Sequence, residues 1–597
     1  MTHYRSNLRD IEFNLFEVLH VQDYLGTGEW SDLDFDTARD ILQEIERLAR
    51  EEFADSYVDQ DRIPLELRDG SVVLPDSVKT GVRAFKDGGW DRFGAPAELG
   101  GMPVPPTLLW ATQEMLLAAN TTVAWYAGGS LFARVLFDEG TDEQKALARL
   151  WMDKQWSGSM ILTEPDAGSD VGAGTAKAMD MGDGTWHLEG VKRFITGGEH
   201  DATENIIHLV LARPEGAIAG TKGLSLFVVP KYLVNADGSL GERNGVIATN
   251  IEKKMGLKGS TTCEMTFGAD RPAIGTLVGD VHDGIRQMFR VIEGARMMIG
   301  TKAMGTLSTG YLNALEYAKE RHQGADLSKA GDKTAPRVPI IGHPDVRRML
   351  MTLKAYSEGL RALVMYTAWV QDQAQLHPDD DRWERRSGFL LPLVKGYGSE
   401  TAYHQLADAL QVLGGSGFTQ DYPLEQYIRD TKIDTIYEGT TGIQALDLFF
   451  RKISRDQGNT LAALASEITE FVKGGPDHDP LAVEREQLGR MLDDVQGQLG
   501  VMVENLMSSL AGESTDIYKV GLHTNSLLES LAEVIIAWQL LRHAEVAVSR
   551  VDDDPFYAGK VESARWFLRL SAPRVAARRD TALTEDGALM KLPVEAF

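Results

Sequence analysis

The sequence predicts an α+β protein, in which helical regions are segregated from one antiparallel β domain. Up to about residue 151, and again from about residue 285, apolar residues recur at spacings of three and four, which is the period of an amphipathic helix. Between these regions the apolar runs are short and bounded by turn residues, as in β strands. Helices, then strands, then helices indicate α+β rather than α/β, in which the two alternate.

The N-terminal part divides into an arm, residues 1–36, and a helical domain, residues 37–156. Ala95–Pro106 is rich in glycine and proline, so we expect a loop between helices there. The helix that follows carries one apolar stripe at helical spacing. Its members are Leu108, Thr112, Met115, Leu116 and Ala119.

The middle region, residues 157–284, is the predicted β domain. Asp183-Gly184 is a strong hairpin signal, and it separates two candidate strands, Lys177–Met181 and Thr185–Glu189. Three further runs have the length and the bounding turn residues of strands. They are Ile206–Ala212, Leu224–Val229 and Thr262–Phe267.

Two helical domains follow, a bundle at residues 285–455 and an extra domain at residues 456–597. We expect a loop over Gly324–Asp345 and a linker over Gly474–Pro480. Each domain carries apolar stripes at helical spacing. Examples are Met304, Leu307, Tyr311, Leu315 and Ala318 in the bundle, and Leu527, Leu531, Val534, Trp538 and Leu541 in the extra domain.

The composition excludes several kinds of protein. With 61 Lys and Arg against 88 Asp and Glu, the net charge of −27 opposes binding to nucleic acid and anionic membranes. Cys263 is the only cysteine, so an intramolecular disulfide and a Cys-based metal site are excluded, and we expect a cytoplasmic location. No apolar run reaches the roughly 20 residues that span a bilayer, and the start carries no apolar signal segment, so no membrane span or export is expected.

The most informative motif is Ile436–Gln444, IYEGTTGIQ, between two apolar, helix-like segments. It places one carboxylate, Glu438, in a short loop. Gly439 removes the next side chain, so a substrate could approach the backbone closely. Thr440 and Thr441 can cap the following helix or donate hydrogen bonds. The loop is therefore a candidate for general acid–base chemistry.

Two further motifs belong to the β domain. Met160–Asp170, MILTEPDAGSD, has small residues and turn formers that let backbone N–H groups and hydroxyls face a ligand; taken alone, a plain strand-to-loop transition explains it better. In Lys192–Gly198, KRFITGG, an aromatic residue followed two positions later by threonine can stack on a flat ring and hydrogen-bond its edge. Taken alone, an aromatic and β-branched strand end explains it better.

The order of the motifs carries a family resemblance. Between the β domain and Glu438 the chain has Leu413–Phe418 (LGGSGF), then Asp421–Pro423 (DYP), then Arg429-Asp430. Over about residues 37–453 this string resembles the acyl-CoA dehydrogenases. The length, the arm HYRSNLRDIEFNLFEVL and the extra domain look like a large-subunit bacterial branch of broad-range fatty acyl-CoA dehydrogenases and related 3-methylmercaptopropionyl-CoA dehydrogenases. The arm and Phe449–Ile453 favour the first of these.

The resemblance implies the fold of that family, with an N-terminal helical domain, a middle β domain and a C-terminal helical bundle, plus the extra helical domain. It implies FAD-dependent α,β-dehydrogenation of fatty acyl-CoA thioesters to trans-2-enoyl-CoA, as in fatty acid β-oxidation, with flavin N5 taking the β-hydride. Glu438 would remove the α-proton, and its backbone N–H with a flavin hydroxyl would bind the thioester oxygen. A homodimer and electron-transferring flavoprotein as acceptor are also implied.

The resemblance further implies which residues contact FAD. They are Met160, Leu162, Thr163, Ser169, Phe194 and Thr196 for the flavin and pyrophosphate, Gln411, Gly415 and Thr440 for the adenosine end, and Arg321 for FAD in the neighbouring subunit. Phe194 would stack near the isoalloxazine, and Thr196 would bond its N5 edge. Many members have tryptophan at Phe194, the usual Arg-x-x-Phe-Gly is absent at Arg321, and Gly442 replaces a polar residue.

For the acyl-CoA substrate the resemblance implies a second set of contacts. They are Ser169, Glu293, Arg296, Glu438 and Gly439. Glu293 and Arg296 match positions that hold the adenine end of the coenzyme; the alternative is a helix-surface ion pair at i, i+3, which is worth little. Some members place their base on this helix, but the matching residue here is Ala295, which cannot act as a base.

Other functions stay open on the sequence alone. An acyl-CoA oxidase would use the same base and cofactor but pass electrons to oxygen. A DNA-binding flavoprotein of the same superfamily is disfavoured by the isoelectric point near 4.9 and by the lack of a basic C-terminal stripe. The intact base and flavin motifs disfavour a non-catalytic interaction protein.

Overall fold

The computed structural model describes residues 2–476 and 478–597, and these form two compact units. The first unit comprises Met1–Ser6 and Tyr24–Ala295, and the second comprises Asn7–Asp23 and Arg296–Phe597. The predicted linker over Gly474–Pro480 contains Asp477, which lies outside the described residues. The division into an arm and four domains remains a prediction.

The helices agree with the regions that the periodicity predicts. In chain order they are α1 Leu8–Glu12, α2 Phe35–Leu48, α3 Tyr57–Arg62, α4 Asp76–Asp87, α5 Pro106–Ala127, α6 Ser130–Glu139, α7 Asp142–Asp153, α8 Gly284–Glu320, α9 Pro344–Leu376, α10 Arg382–Pro392, α11 Gly398–Leu413, α12 Leu424–Thr431, α13 Thr441–Leu446, α14 Asn459–Lys473, α15 Ala482–Leu510, α16 Ile517–Ala547 and α17 Pro555–Leu583. Local chemistry sets their starts: the Asp34 carboxylate accepts a hydrogen bond from the Thr37 N–H at the start of α2.

Short strands occupy the predicted middle region and two other places. They are β1 Leu67–Arg68, β2 Ser71–Val72, β3 Ser157–Ile161, β4 Lys177–Asp180, β5 Trp186–Thr196, β6 Ile206–Pro214, β7 Ser225–Pro230, β8 Tyr232–Val234, β9 Leu240–Arg243, β10 Val246–Ile251, β11 Thr262–Phe267, β12 Ala273–Leu277, β13 His322–Ala325 and β14 Arg337–Pro339. The last two lie within Gly324–Asp345 and its edge, so that segment is a small hairpin rather than the featureless loop expected.

The main sheet confirms the α+β class but is not purely antiparallel. Its strand order is β10-β11-β5-β12-β7-β6-β3, and β4 pairs with both β5 and β6. The β4–β5 hairpin around Asp183 is antiparallel as predicted. However, β3 and β4 each run parallel to β6, which corrects the antiparallel prediction. Parallel pairing needs a long crossover connection, and no local sequence signal marks it.

Strand β6 shows where the core of the first unit lies. Its residues alternate between two apolar clusters, with Ile207, Leu209 and Leu211 on one face and Val210 and Ala212 on the other. The first cluster includes buried side chains of α6 and α7. Because apolar layers cover both faces, β6 is mostly apolar on both faces rather than alternating, and its one central polar residue, His208, is buried with its Nδ1 2.7 Å from Ser159 Oγ.

The second unit is helical and includes part of the predicted arm. Helices α16 and α17 pack against each other and against α9. The buried Asp10 carboxylate of α1 accepts hydrogen bonds from the buried Arg361 guanidinium and Lys560 ammonium groups. A buried ion pair with two cations therefore fixes residues 7–23 to α9 and α17. Among the described residues, no helix is both long and apolar enough to cross a membrane.

Candidate active site

The loop around Glu438 adopts an uncommon backbone conformation. Glu438 has φ +54° and Gly439 has φ +87°, a left-handed region that costs a non-glycine residue about 1–3 kcal/mol. As predicted, Thr440 caps the next helix, because its Oγ1 accepts a hydrogen bond from the Ile443 N–H at 3.3 Å. Such strain persists only where the surroundings over-determine it.

Two buried side chains hold this loop. The Gln444 Nε2 group donates to the Glu438 carbonyl at 3.0 Å and to the Gly439 carbonyl at 3.4 Å, and the Lys395 ammonium donates to the Gly439 carbonyl. A Cβ on residue 439 would lie 2.7 Å from Gln444 Nε2, so a larger residue would displace the amide that holds the loop, and the positive φ also favours glycine. Among the described residues, the Glu438 N–H has no hydrogen-bond acceptor.

The electrostatics of the loop make the Glu438 carboxylate more basic. Burial raises the pKa of the Glu438 carboxyl group, and the positive charges of Lys395 and Arg296 oppose that rise. Burial also lowers the pKa of Lys395 to about 8, although the negative charges of Asp434 and Glu438 raise it. A carboxylate with a raised pKa is a stronger proton acceptor than one in water.

A buried ion pair fixes the segment before Glu438. Lys302 and Asp434 are both almost completely buried, and their Nζ and Oδ2 atoms are 2.7 Å apart. Lys302 Nζ also donates to the Asp430 carbonyl at 2.9 Å, and the Tyr437 hydroxyl donates to Asp434 Oδ1 at 2.7 Å. Burial raises the pKa of Asp434 even though Lys302 opposes it. These contacts connect α8 and α12 to the loop that carries the base.

Arg296 is a buried residue rather than a surface one. Its Nη1 atom lies 2.8 Å from Asp447 Oδ2, and both side chains are only 7% exposed. Its Nε atom is buried, with no hydrogen-bond partner among the described residues. The alternative of a helix-surface ion pair is therefore wrong for Arg296, whereas Glu293 is exposed. The coenzyme contact for these two residues remains a prediction.

In the first unit the two β-domain motifs lie side by side. The Arg193 N–H donates to the Thr163 carbonyl at 2.9 Å, and Lys192 Nζ donates to the Leu162 carbonyl at 2.9 Å. Lys192 and Glu164 form a buried ion pair at 2.8 Å. The residues at the ends of β3 and β5, which are about thirty residues apart in the chain, thus lie side by side. We call the surface that they form the edge of the β domain.

This edge fits a flat aromatic cofactor. Phe194 has φ +61°, and 53% of its surface is exposed, so a strained backbone presents a half-exposed ring. The Arg193 guanidinium lies over that ring, 4.9 Å from its centre. Met160, Leu162, Thr163 and Thr196 are partly buried and Ser169 is exposed. An exposed ring beside apolar and hydroxyl groups suits the stacking and edge hydrogen bonding that a flavin needs.

Three other predicted FAD residues lie near one end of the second unit. Gln411 and Gly415 are exposed at the end of α11, and Arg321 is exposed after α8. The Tyr317 hydroxyl, one turn before Arg321, donates to Ser416 Oγ at 3.3 Å, which brings these chain segments together. Their roles toward FAD remain predictions.

Sequence reasoning missed the residues that support the base. Lys395, Lys302, Asp434 and Gln444 are all fully buried. The two lysines are distant from Glu438 in the chain, and although Asp434 and Gln444 are near it, nothing in the sequence shows which atoms they bond. One signal was present: Lys395 is a single lysine in the apolar run FLLPLVKGYG, and a charge in such a run is rarely buried without a specific partner.

Family models cover most of the chain in segments. The acyl-CoA dehydrogenase middle domain matches residues 159–269, the acyl-CoA dehydrogenase C-terminal domain matches residues 282–451, and a model described as acetyl-CoA dehydrogenase C-terminal like matches residues 464–593. The third match falls on the extra helical domain.

Relatives match over nearly the full length. The chain is 54% identical to the broad-specificity linear acyl-CoA dehydrogenase FadE5 of Mycobacterium tuberculosis, with all of both chains covered. It is 35% identical to 3-methylmercaptopropionyl-CoA dehydrogenase of Ruegeria pomeroyi, with 95% of each covered. An acyl-CoA dehydrogenase from Bacillus anthracis, solved with FAD, has a similar fold at 21% identity, with a TM-score of 0.72 and 97% of this chain and 93% of that chain covered. The chain belongs to the acyl-CoA dehydrogenase family.

Proposed function

We propose that this protein catalyses the FAD-dependent α,β-dehydrogenation of linear fatty acyl-CoA thioesters to trans-2-enoyl-CoA, with Glu438 as the base. The observation that carries the assignment of the base is the loop itself. A carboxylate with a raised pKa sits on a strained backbone that Gln444 and Lys395 hold in place. Strain at a rigidly supported residue is characteristic of active sites.

The residues of the loop supply two parts of the reaction. The α-hydrogen of a thioester is weakly acidic, so a carboxylate can remove it only if the developing enolate is stabilised. Glu438 accepts the α-proton on its carboxylate. Its backbone N–H, which has no protein acceptor among the described residues, is available to bind the thioester oxygen.

FAD supplies the acceptor for the hydride that leaves the β-carbon. Leu162, Thr163, Phe194 and Thr196 are the residues that we propose to hold the flavin, since they line the edge formed by β3 and β5. We propose that Met160 and Ser169 on that edge also contact the flavin or pyrophosphate. The proposed contacts with the rest of FAD are Gln411, Gly415, Thr440 and Arg321. The proposed contacts with the acyl-CoA substrate are Ser169, Glu293, Arg296 and Gly439.

The experiment combines flavin content with a panel of substrates. The purified protein should be yellow with stoichiometric FAD, and it should oxidise short- to long-chain linear acyl-CoA esters in the presence of a dye acceptor. Absence of flavin after gentle purification, or no turnover with any ester, would overturn the proposal. The methylthio ester belongs in the panel, because a 35% identical relative is named for it.

We propose electron-transferring flavoprotein rather than oxygen as the acceptor, and a cytoplasmic homodimer as the working form. The relatives named as dehydrogenases support electron-transferring flavoprotein as the acceptor.

The exposed Arg321, matched to a contact with a neighbouring subunit's FAD, supports the dimer. The buried thiol of Cys263 is compatible with the cytoplasm. Rapid oxygen consumption would contradict the dehydrogenase assignment, and light scattering that shows an FAD-bound monomer would contradict the dimer.

A further inference from the structure

Lys395 is a buried cation whose role the proposed reaction does not yet include. It lies in a π-helical segment, Leu393–Tyr397, between α10 and α11. Its side chain is completely buried, and its ammonium donates to the Gly439 carbonyl, one residue after the base. The Ser399 hydroxyl donates to the carbonyl of Lys395 itself, which ties down the irregular turn. π-Helical turns occur frequently at functional sites.

A purely structural role explains this arrangement poorly. A buried lysine is costly unless it is paired, and Lys395 has one carbonyl acceptor rather than a carboxylate in direct contact. The charged groups that act on it are Asp434, Glu438, Arg296 and Glu400. Asp434 already has its own buried partner in Lys302. Glu400 accepts a hydrogen bond from the Thr441 hydroxyl at 2.8 Å and has the weakest effect of the four on Lys395. Glu438 is the remaining carboxylate, and it has no direct ion pair among the described residues.

We infer that Lys395 is a positioning residue for Glu438: its hydrogen bond to the Gly439 carbonyl fixes the left-handed loop that carries the base, and it places a positive charge beside that loop. The inference rests on the proposed function, because it takes Glu438 as the base. Its two effects are separable. The hydrogen bond sets where the carboxylate lies, and the charge sets at which pH the carboxylate loses its proton.

The test compares Lys395→Met and Lys395→Arg in the full-length, FAD-loaded protein. Lys395→Met removes both the donor and the charge. Its kcat should fall about 10²-fold, as expected for a misplaced catalytic group, while KM changes little. The acid limb of kcat/KM should move to higher pH by about one unit, because a nearby cation lowers a carboxyl pKa by at least that amount. Lys395→Arg keeps the charge and should leave the acid limb at the wild-type pH.

The matched control is Lys354→Met, which removes another lysine of the same unit, one that is ion-paired and has 22% of its side chain exposed. Lys354 pairs with Glu358 on α9 and donates to Ser563, away from the base loop. Its melting temperature should fall like that of Lys395→Met, but its acid limb should stay in place. If Lys395→Met keeps the wild-type acid limb and kcat while Glu438→Gln is inactive, the inference fails and the proposed function stands. If Glu438→Gln is active, both fail.

Discussion

At the scale of single residues, Glu438 combines two unfavourable features that its neighbours offset. Its φ of +54° is strained, and burial raises the pKa of its carboxyl group. Hydrogen bonds to the Glu438 and Gly439 carbonyls stabilise the strained backbone. The positive charges of Lys395 and Arg296 oppose the rise in the pKa of the carboxyl group. A reactive group of this kind depends on a rigid surrounding shell rather than on its own preference.

Phe194 leads to a prediction about cofactor retention. Replacement by alanine removes the ring and keeps the strained φ of +61°, so FAD content should fall sharply, while Phe194→Trp should retain it because stacking persists. Flavin absorbance relative to protein absorbance measures this. Phe194→Gly separates strain from stacking: it should be about 1 kcal/mol more stable than Phe194→Ala and equally poor in FAD. Full FAD content in the alanine variant would contradict the assignment.

Only part of the site could be predicted at this scale. The capping role of Thr440 follows from adjacent residues and is confirmed, whereas the roles of Glu438 and of the two β-domain motifs come from the family resemblance and stay predictions. Lys395 and Lys302 act across more than forty and one hundred residues of chain, respectively. Such contacts follow from tertiary packing, which one sequence does not display.

At the scale of elements, a buried ion pair joins the end of β3 to β5. Lys192 and Glu164 are 2% and 7% exposed, and the Glu164 carboxylate also accepts the N–H groups of Thr175 and Ala176. The pair therefore fixes both strand ends that carry the proposed flavin contacts. Burial opposes ionisation of Glu164, but Lys192 and these donors outweigh it and hold the pKa of Glu164 below its usual value.

Breaking this pair should destabilise the protein in a pH-dependent way. Lys192→Met leaves a buried carboxylate unpaired and should lower the free energy of unfolding by about 3–5 kcal/mol at neutral pH. A carboxyl group with a depressed folded pKa stabilises above its unfolded pKa, and that contribution is lost as the pH falls through the folded pKa. Without Lys192, burial raises the pKa of Glu164, so protonation relieves the variant as the pH falls while the wild type loses its own contribution. The difference in the free energy of unfolding between wild type and variant, measured in urea, should therefore shrink steadily from neutral to acid pH. A difference in the free energy of unfolding that stays constant with pH would contradict a stabilising ion pair between Lys192 and Glu164.

Element type was more predictable than strand direction. The hairpin at Asp183 and the strand Thr262–Phe267 agree with the prediction, since turn residues and period-two alternation act locally. The parallel pairing of β3 with β6 was not predicted. It depends on a crossover of more than forty residues, whose direction the strand sequences do not encode.

At the scale of the whole molecule, the extra C-terminal helices contact the segment that supports the base. The Tyr397 hydroxyl, two residues after Lys395, donates to Glu533 Oε1 at 3.2 Å. Glu533 on α16 is buried and also pairs with Arg578 and Arg574 of α17. A Cβ on Gly396 would lie 3.1 Å from Leu528 of α16. Through these contacts the extra domain can hold the π-helical segment in place, and that segment carries Lys395, which supports the base loop.

Tyr397→Phe tests this route without changing the shape of the core. It removes a hydrogen bond to a buried carboxylate and should lower the free energy of unfolding by about 1.5–3 kcal/mol, and kcat should fall because the π-helical segment loses its link to α16. Tyr366→Phe is the matched control, since the Tyr366 hydroxyl accepts a hydrogen bond from Arg386 Nη1 at 3.4 Å, outside the base loop. Urea unfolding and steady-state kinetics measure both variants. Equal kcat values in the two variants would contradict the claim that the Tyr397–Glu533 hydrogen bond supports the base loop.

The central claim is that Glu438 is the base, and Glu438→Gln tests it most directly. The amide is nearly isosteric but cannot accept the α-proton, so the variant should retain FAD and bind acyl-CoA while turnover falls by about 10²–10⁴-fold. Glu425→Gln, which alters a carboxylate paired with Arg429 on α12, should keep its turnover. Dye-coupled turnover of one linear acyl-CoA by both FAD-loaded variants gives the answer. If Glu438→Gln kept more than about a tenth of wild-type turnover, less than the smallest loss expected for a base, Glu438 would not be the base.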